Sequence, residues 1–315
     1  MNKLIIKLSL FCLPLLAIAI VADILVSKNL KQSSDFEGEL EVWTDIYDSK
    51  IDAEVAIYGS SRAWVHIDPS ILENSLNLNA YNFGIDGHHF AIQYLRHLEY
   101  FSNNEHPNTI ILSLDVFMFE KVNDLYNREQ FMPYMLWNKN MVSHTHGYNG
   151  FELLDYYVPM LRYRGEKKIL SNGLLRTDNE TNKYRYHGYK GRNESWNNDL
   201  KKAKLERDNI TIPIDSATVE LFKTFLRDME SEKVEVILVY SPEYIEGQSF
   251  TKNRDEIMSL FSTIAEEFEL PFLDYSADEM SYNKDFFYNA LHLNNDGATL
   301  FTQKLVQDIK EYLPK

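Results

Sequence analysis

Cysteine is almost missing from this chain. Cys12 is the single one among 315 residues, which excludes a disulfide framework and a cysteine-built metal site, so thiols say nothing of the compartment. Positive charge is also short. The 32 Lys and Arg against 47 Asp and Glu give a net charge of −15, which argues against a polyanionic partner such as nucleic acid. No internal repeat is evident. Histidine pairs occur at His88-His89 and at His144-Thr145-His146, but neither comes with a carboxylate and a third histidine at ligand spacing, so no metal is expected. No cofactor is expected either. What is present is a globular composition, 44% hydrophobic and 13% aromatic, enough for one large α/β core or two smaller ones.

The N-terminus carries the one long uncharged run. Lys3 and Lys7 precede Leu8–Ala22, which reads as the apolar part of a signal peptide or of a membrane anchor. Ala17-Ile18-Ala19 offers a small-residue cleavage site, while Leu4 to Val26, with Lys7 and Asp23 able to snorkel, is long enough to span a bilayer. Residues 1–26 are therefore expected to be a signal-anchor or a signal peptide. Either way, the remainder is expected outside the cytoplasm, membrane-anchored or, after cleavage, secreted. Cys12 lies too early in the run for a lipoprotein cleavage cysteine and reads as apolar filler.

Residues 27–50, rich in Ser, Lys, Asp and Glu, read as a solvated stem with one amphipathic turn around Leu40–Ile46. From Ile51 onward short β-branched runs alternate with helical periods. Strands are predicted at Val55–Tyr58, Ala80–Phe83, Thr109–Leu114, Val234–Tyr240 and Pro271–Leu273. Helices are predicted at His89–Asn103, Ser216–Glu232, Arg254–Phe268 and Asp296–Tyr312. Strands separated by helices imply a doubly wound, mostly parallel α/β sheet over 51–315, whose site lies beyond the carboxyl ends of the strands. The interval from about 120 to 232 is too long for a crossover and is expected to be an inserted cap or subdomain.

The strand ends carry the chemistry. Gly59-Ser60-Ser61-Arg62 follows the first strand, where glycine permits a tight turn and the next residues open a helix whose amides face developing negative charge. A hydroxyl there suits attack on a carbonyl, and a plain turn or helix cap is the alternative. Far downstream, His292 sits in Asn289-Ala290-Leu291-His292-Leu293-Asn294, just before the last helix, which Asn294, Asn295 or Asp296 is expected to cap. Between them come Asn82-Phe83-Gly84-Ile85-Asp86-Gly87, Asp115, Ser241-Pro242-Glu243 and Asp274-Tyr275-Ser276. Arg62 is expected to grip a substrate oxygen or to pair with an acid such as Asp86, and His88 to line the cleft or begin a helix.

This order of blocks resembles the SGNH hydrolase superfamily, the GDSL-like esterases, and in particular its membrane-anchored branch associated with acylation of cell-surface polymers. The resemblance runs from about Ile51 to the C-terminus and implies a flavodoxin-like core. It implies Ser61 as nucleophile, with its own amide as one oxyanion donor and Gly84 or Gly87 as another, and His292 as general base. Two positions depart from the family pattern. Asp115 stands where an asparagine normally faces the oxyanion, and an ionised carboxylate there would repel it. Asn289 replaces the aspartate that orients the histidine and is kept as the third catalytic residue, since an asparagine can fill that place, with Asp285 or Asp274 as the alternative orienting acid.

Within the insertion, Phe131-Met132-Pro133-Tyr134-Met135-Leu136-Trp137 and the stretch from Tyr184 to Arg192 are aromatic-rich. Such faces suit stacking on sugar rings, or form the insertion's own core. Residues 176–209 are polar and are expected to loop out. The implied activity is serine-mediated ester chemistry on an acylated cell-envelope or secreted polysaccharide, as esterase or O-acyltransferase. Asp86, His88, Arg62 and Asp115 are candidate substrate contacts, and a membrane acyl-donor protein is a candidate partner. The competing class is a catalytically inactive glycan-binding or scaffold protein of an envelope complex, which Asp115 and Asn289 would suit.

Overall fold

The computed structural model describes residues 2–175, 184–206 and 209–314. The chain forms two compact units, Met1–Thr44 with Val122–Tyr184, and Asp45–Lys121 with Arg185–Lys315.

The second unit is the expected α/β sheet. Its strands are β1 (Val55–Tyr58), β2 (Ala80–Asn82), β3 (Thr109–Ser113), β4 (Glu235–Tyr240) and β5 (Phe272–Asp274). They lie in the order β2-β1-β3-β4-β5, and every neighbouring pair is parallel. Parallel neighbours require crossovers, and helices supply them on both faces of the sheet. Because side chains alternate along a strand, Val55 and Ile57 of β1 join Ile111, Ile237 and Val239 on one face, against Phe301, Leu305 and Ile309 of the Asn295–Ile309 helix. Tyr58 points to the other face, where its ring meets Phe83, Phe225 and His97. Strands buried on both faces are apolar throughout, as Thr-Ile-Ile-Leu-Ser of β3 is fully buried.

Helix ends follow local chemistry. Asp215 caps the Ser216–Glu232 helix by accepting from the Thr218 amide at 2.9 Å, and Lys233 closes it in the left-handed region. With the order 2-1-3-4-5, the winding direction reverses between β1 and β3, so their carboxyl ends open the crevice where such sheets bind ligands.

The first unit contains a helix at Asn2–Lys31, within which Leu10–Lys31 is long and apolar enough to cross a membrane. Its last turns belong to the folded unit. Asp23, Val26, Ser27 and Leu30 are buried, and a Cβ on Gly173 would lie 2.7 Å from Val26 Cγ1, so the Lys167–Leu175 helix packs closely there. This corrects the solvated stem expected at 27–50. The apolar helix runs on to Lys31, and a second helix begins at Glu39 with Leu40, Val42 and Trp43 buried. Trp43 donates to Gln130 Oε1 at 3.2 Å and packs on Phe131 and Tyr134. Phe131, Met132, Tyr134 and Met135 are buried in the same unit, so that aromatic run is core except for Trp137. The amphipathic turn expected at Leu40–Ile46 lies within this Glu39–Tyr47 helix, and the acids Glu39 and Glu41 interleaved with its apolar residues disguised how deeply it is buried.

The insertion is divided between the units. Residues 122–184 belong to the first, and Arg185 onward, including the Ser216–Glu232 helix, to the second. Of the segment expected to loop out at 176–209, residues 176–183 and 207–208 lie outside the described residues. The described part is anchored at two points, since Arg185 is buried with its guanidinium 4.1 Å from the Trp64 ring and Asp199–Glu206 is a helix that buries Leu200, while residues 191–197 between them form a loop without helix or strand.

Candidate active site

The turn after β1 requires its glycine. Gly59 has φ +144, and a Cβ there would meet the Ser113 carbonyl oxygen at 2.7 Å and Ala63 Cβ at 2.8 Å. Ser60 then caps the short Ser61–His66 helix, its Oγ accepting from the Arg62 amide at 3.3 Å. Ser61 is the first residue of that helix, so its amide stands among those without an intrahelical acceptor.

Ser61 Oγ lies 2.8 Å from His292 Nε2, although 231 residues separate them. On the other side of the ring, His292 Nδ1 lies 3.0 Å from Asn289 Oδ1. That oxygen also accepts the backbone amides of Leu291 and His292, each at 2.9 Å. These two backbone donors fix the amide orientation, since the NH2 end could accept neither of them. Nδ1 must then carry the proton, which leaves the Nε2 lone pair facing the Ser61 hydroxyl. Tyr288 stacks on the imidazole with ring centroids 5.4 Å apart and planes 7° from parallel.

A second histidine braces this arrangement, and nothing in the sequence pattern pointed to it. His66, fully buried, accepts the Leu293 amide on Nε2 at 3.0 Å, so its proton sits on Nδ1 and points to Ser241 Oγ at 2.8 Å. The residue after His292 is thereby tied to the end of the nucleophile's own helix. Burial lowers the His66 pKa well below the ordinary histidine value, with Arg62 and His292 adding to the effect, so this ring is neutral. His292 is pushed down to about 3, first by burial and then by the nearby Arg62 and Arg192 charges. At neutral pH it is an unprotonated acceptor.

Arg62 is buried rather than reaching for solvent. It donates to the Ser241 carbonyl, stacks 4.4 Å over the Tyr240 ring and faces Glu243 Oε2 at 3.9 Å. Of the two expected roles it takes the pairing with an acid, and Glu243 supplies that acid where Asp86 was the example offered by the sequence. Burial alone would lower the Arg62 pKa, and Tyr240, Glu243 and Asp115 outweigh it and raise the pKa. Asp115 is buried at the end of β3, with Oδ1 accepting the Phe117 amide at 2.9 Å.

Ser61, Arg62, Gly87, His88, Asp115 and His292 line one cavity of about 170 Å³. Asp86 is half-buried just before Gly87 and is not among the lining residues. A second, more apolar cavity of about 260 Å³ shares Val116, Phe117, Glu243 and Leu291 with the first and adds Leu200, Ala203, Phe250 and Ala290.

Other expected roles are not met. The Gly84 amide donates to Asn82 Oδ1 at 2.9 Å and is occupied, while a Cβ on Gly84 would lie 2.4 Å from the Trp64 nitrogen. Gly84 therefore serves close packing, and Gly87 is the glycine that borders the cavity. Asp285 and Asp274 do not orient His292. Both are exposed, Asp274 Oδ1 accepts the Ser276 amide at 2.9 Å, and the ring nitrogen they would need is taken by Asn289. Asn294 caps the last helix, accepting from Gly297 at 3.0 Å. His144 bonds the Asn140 carbonyl within its own helix. Among the described residues, no group of three or more His, Cys, Asp or Glu is arranged to hold a metal ion.

No protein-family model and no curated protein matches the chain. Among solved structures, the chain is similar to an acetyl xylan esterase at 12% identity and TM-score 0.42, covering 81% of this chain and 98% of that one. A lipase/acylhydrolase from Enterococcus faecalis is 13% identical with TM-score 0.41, over 82% and 96% of the two chains. A GDSL-like lipase from Bacteroides thetaiotaomicron is 14% identical with TM-score 0.38, over 89% and 100%. The chemistry rests on this chain's own side chains.

Proposed function

We propose that this chain is a membrane-anchored serine esterase or O-acyltransferase, acting outside the cytoplasm on acyl esters of a cell-envelope or secreted polysaccharide. The observation that carries this reading is the Ser61–His292–Asn289 series, at 2.8 Å and 3.0 Å, with its proton positions fixed by the Asn289 amide. In the reaction, His292 Nε2 takes the hydroxyl proton as Ser61 Oγ bonds to the acyl carbon. The protonated imidazole then gives that proton to the departing alkoxide as the ester bond breaks. The acyl-enzyme passes its group to water or to a sugar hydroxyl by the same steps reversed. The Ser61 and Gly87 amides are the proposed oxyanion donors. Asp115, beside Arg62, serves as counter-charge to that guanidinium, which tempers its repulsion of an oxyanion. The apolar cavity next to the nucleophile suits the acyl portion.

The polysaccharide acceptor and a membrane acyl-donor partner rest on the resemblance of the motif order to the membrane-anchored branch. An anchored domain would be held near such a donor at high effective concentration. A serine-reactive fluorophosphonate tests the centre. The native chain should label, Ser61→Ala should not, and His292→Ala should label at least about 100-fold more slowly, the lower end of general-base contributions. Unlabelled native protein that still binds polymer would make it a binding module instead.

A further inference from the structure

Unit 1 exposes apolar side chains that its own core does not use. Trp137 is 59% exposed, Leu153 50%, Leu154 56%, Tyr157 49% and Val158 39%. They form one patch. Leu153–Tyr156 is a single turn of 3-10 helix, the Val158 amide bonds the Leu154 carbonyl, and Trp137 bonds the Tyr156 carbonyl through its amide at 2.8 Å and the Tyr157 carbonyl through its indole at 3.1 Å. Large contiguous apolar patches on a folded surface mark contact with a partner or a membrane.

The neighbouring contacts say which. Asn29 bonds the Gly173 carbonyl, Tyr163 meets Ser27, Arg162 meets Ser27 and Asp23, and the Met160 amide bonds Asp23 at 2.6 Å. As residue numbers fall from Gly173 to Met160, the contacts climb the N-terminal helix toward its start. Val158 follows two residues beyond Met160, within about 7 Å along the chain. The helix surface in that direction is bare and apolar: Ile18 is 65% exposed and Val21 58%. A bilayer core of about 30 Å takes about 20 helical residues, and Asn2–Lys31 supplies 30 with Asp23 tied to Arg162. Asp23 thus stands at the membrane surface, and the patch beside it at headgroup depth, where Trp and Tyr are favoured.

We infer that Trp137, Leu153, Leu154, Tyr157 and Val158 form a collar that seats unit 1 in the lipid interface around the emerging anchor helix. This rests on the anchored reading of Leu10–Lys31. It would fix the first unit against the bilayer in addition to tethering it.

Bromine-labelled acyl chains test the collar. The full chain is reconstituted in phosphatidylcholine vesicles with and without brominated lipid, and tryptophan emission is compared between native protein and Trp137→Phe. Trp43 and Trp64 are buried and Trp196 packs, partly buried, against the core of unit 2, so bromine quenching should be present in the native chain and largely gone in Trp137→Phe. A Leu153→Ser/Leu154→Ser/Val158→Ser variant, altered only at exposed positions, should keep its near-UV spectrum and lose at least about half of the quenching. Equal quenching of native and Trp137→Phe chains that co-float with the vesicles would overturn the collar while leaving the anchor intact, and would turn attention to a protein partner for the patch. A chain that does not co-float at all would overturn the anchored reading itself.

Discussion

Each unit buries an arginine on a tyrosine, and the two are neutralised differently. In unit 1, Arg162 stacks over Tyr163 at 4.6 Å and meets both oxygens of Asp23 at 2.7 Å. In unit 2, Arg62 stacks over Tyr240 at 4.4 Å, but its acid, Glu243, stands 3.9 Å away. Glu243 is closer to Arg254, at 3.0 Å and 3.1 Å, and to the Tyr240 hydroxyl at 2.8 Å. A bidentate pair cancels its charge in place and acts as a lock. A guanidinium whose acid is shared keeps a positive field, and that field reaches His292. The first arrangement fastens an apolar helix to its unit, and the second adds to the burial that keeps His292 uncharged.

The contrast breaks most visibly at Arg162. Arg162→Ala leaves Asp23 buried without its partner, and we expect a loss of about 3–5 kcal/mol, the usual cost of breaking such a pair. Denaturant midpoints in detergent would read it, and a change under about 1 kcal/mol would place this pair with weak surface bridges. Arg62→Met should cost less stability, because Glu243 retains Arg254 and Tyr240. Its effect belongs to the chemistry: about tenfold slower fluorophosphonate labelling, or about 1.4 kcal/mol. Equal losses of stability in both variants would erase the distinction between lock and field.

Unit 2 was far more legible in the sequence than unit 1, for a physical reason. All five strands of the sheet overlap the segments predicted for them, to within a residue at either end, and the Ser216–Glu232 helix has both of its expected ends. A sheet covered on both faces leaves apolar runs that composition cannot disguise. Unit 1 is built from short helices whose apolar positions alternate with acids, as at Glu39-Leu40-Glu41-Val42-Trp43, so it passed for a stem. In the site, the Ser61 and His292 positions stood out because each lies at a strand end or beside a helix start. His66 did not, because a neutral histidine that bonds one amide and one hydroxyl obeys no spacing rule. Glu243 was visible only as a polar loop residue, since its two arginines come from different helices.

Neutral histidines also contribute to the acid limit of the fold. His66, His97 and His292 have pKa values below the ordinary one in the folded chain. Each therefore contributes stability that is complete above about pH 6.5, the unfolded value, and is lost as pH falls toward the folded one.

The proposed acyl-transfer centre has a histidine oriented by an amide instead of a carboxylate, and the pH dependence of Ser61 labelling is its sharpest test. With His292 pushed down to about 3, the native rate should stay flat from about pH 8 to about pH 5, with circular dichroism confirming an intact fold, because the base stays unprotonated across that window. Asn289→Asp places a negative charge against Nδ1, raises the His292 pKa and should bring an acid limb into the same window. A native limb near the ordinary histidine value of about 6.5, unmoved by Asn289→Asp, would rule out an amide-oriented, buried base.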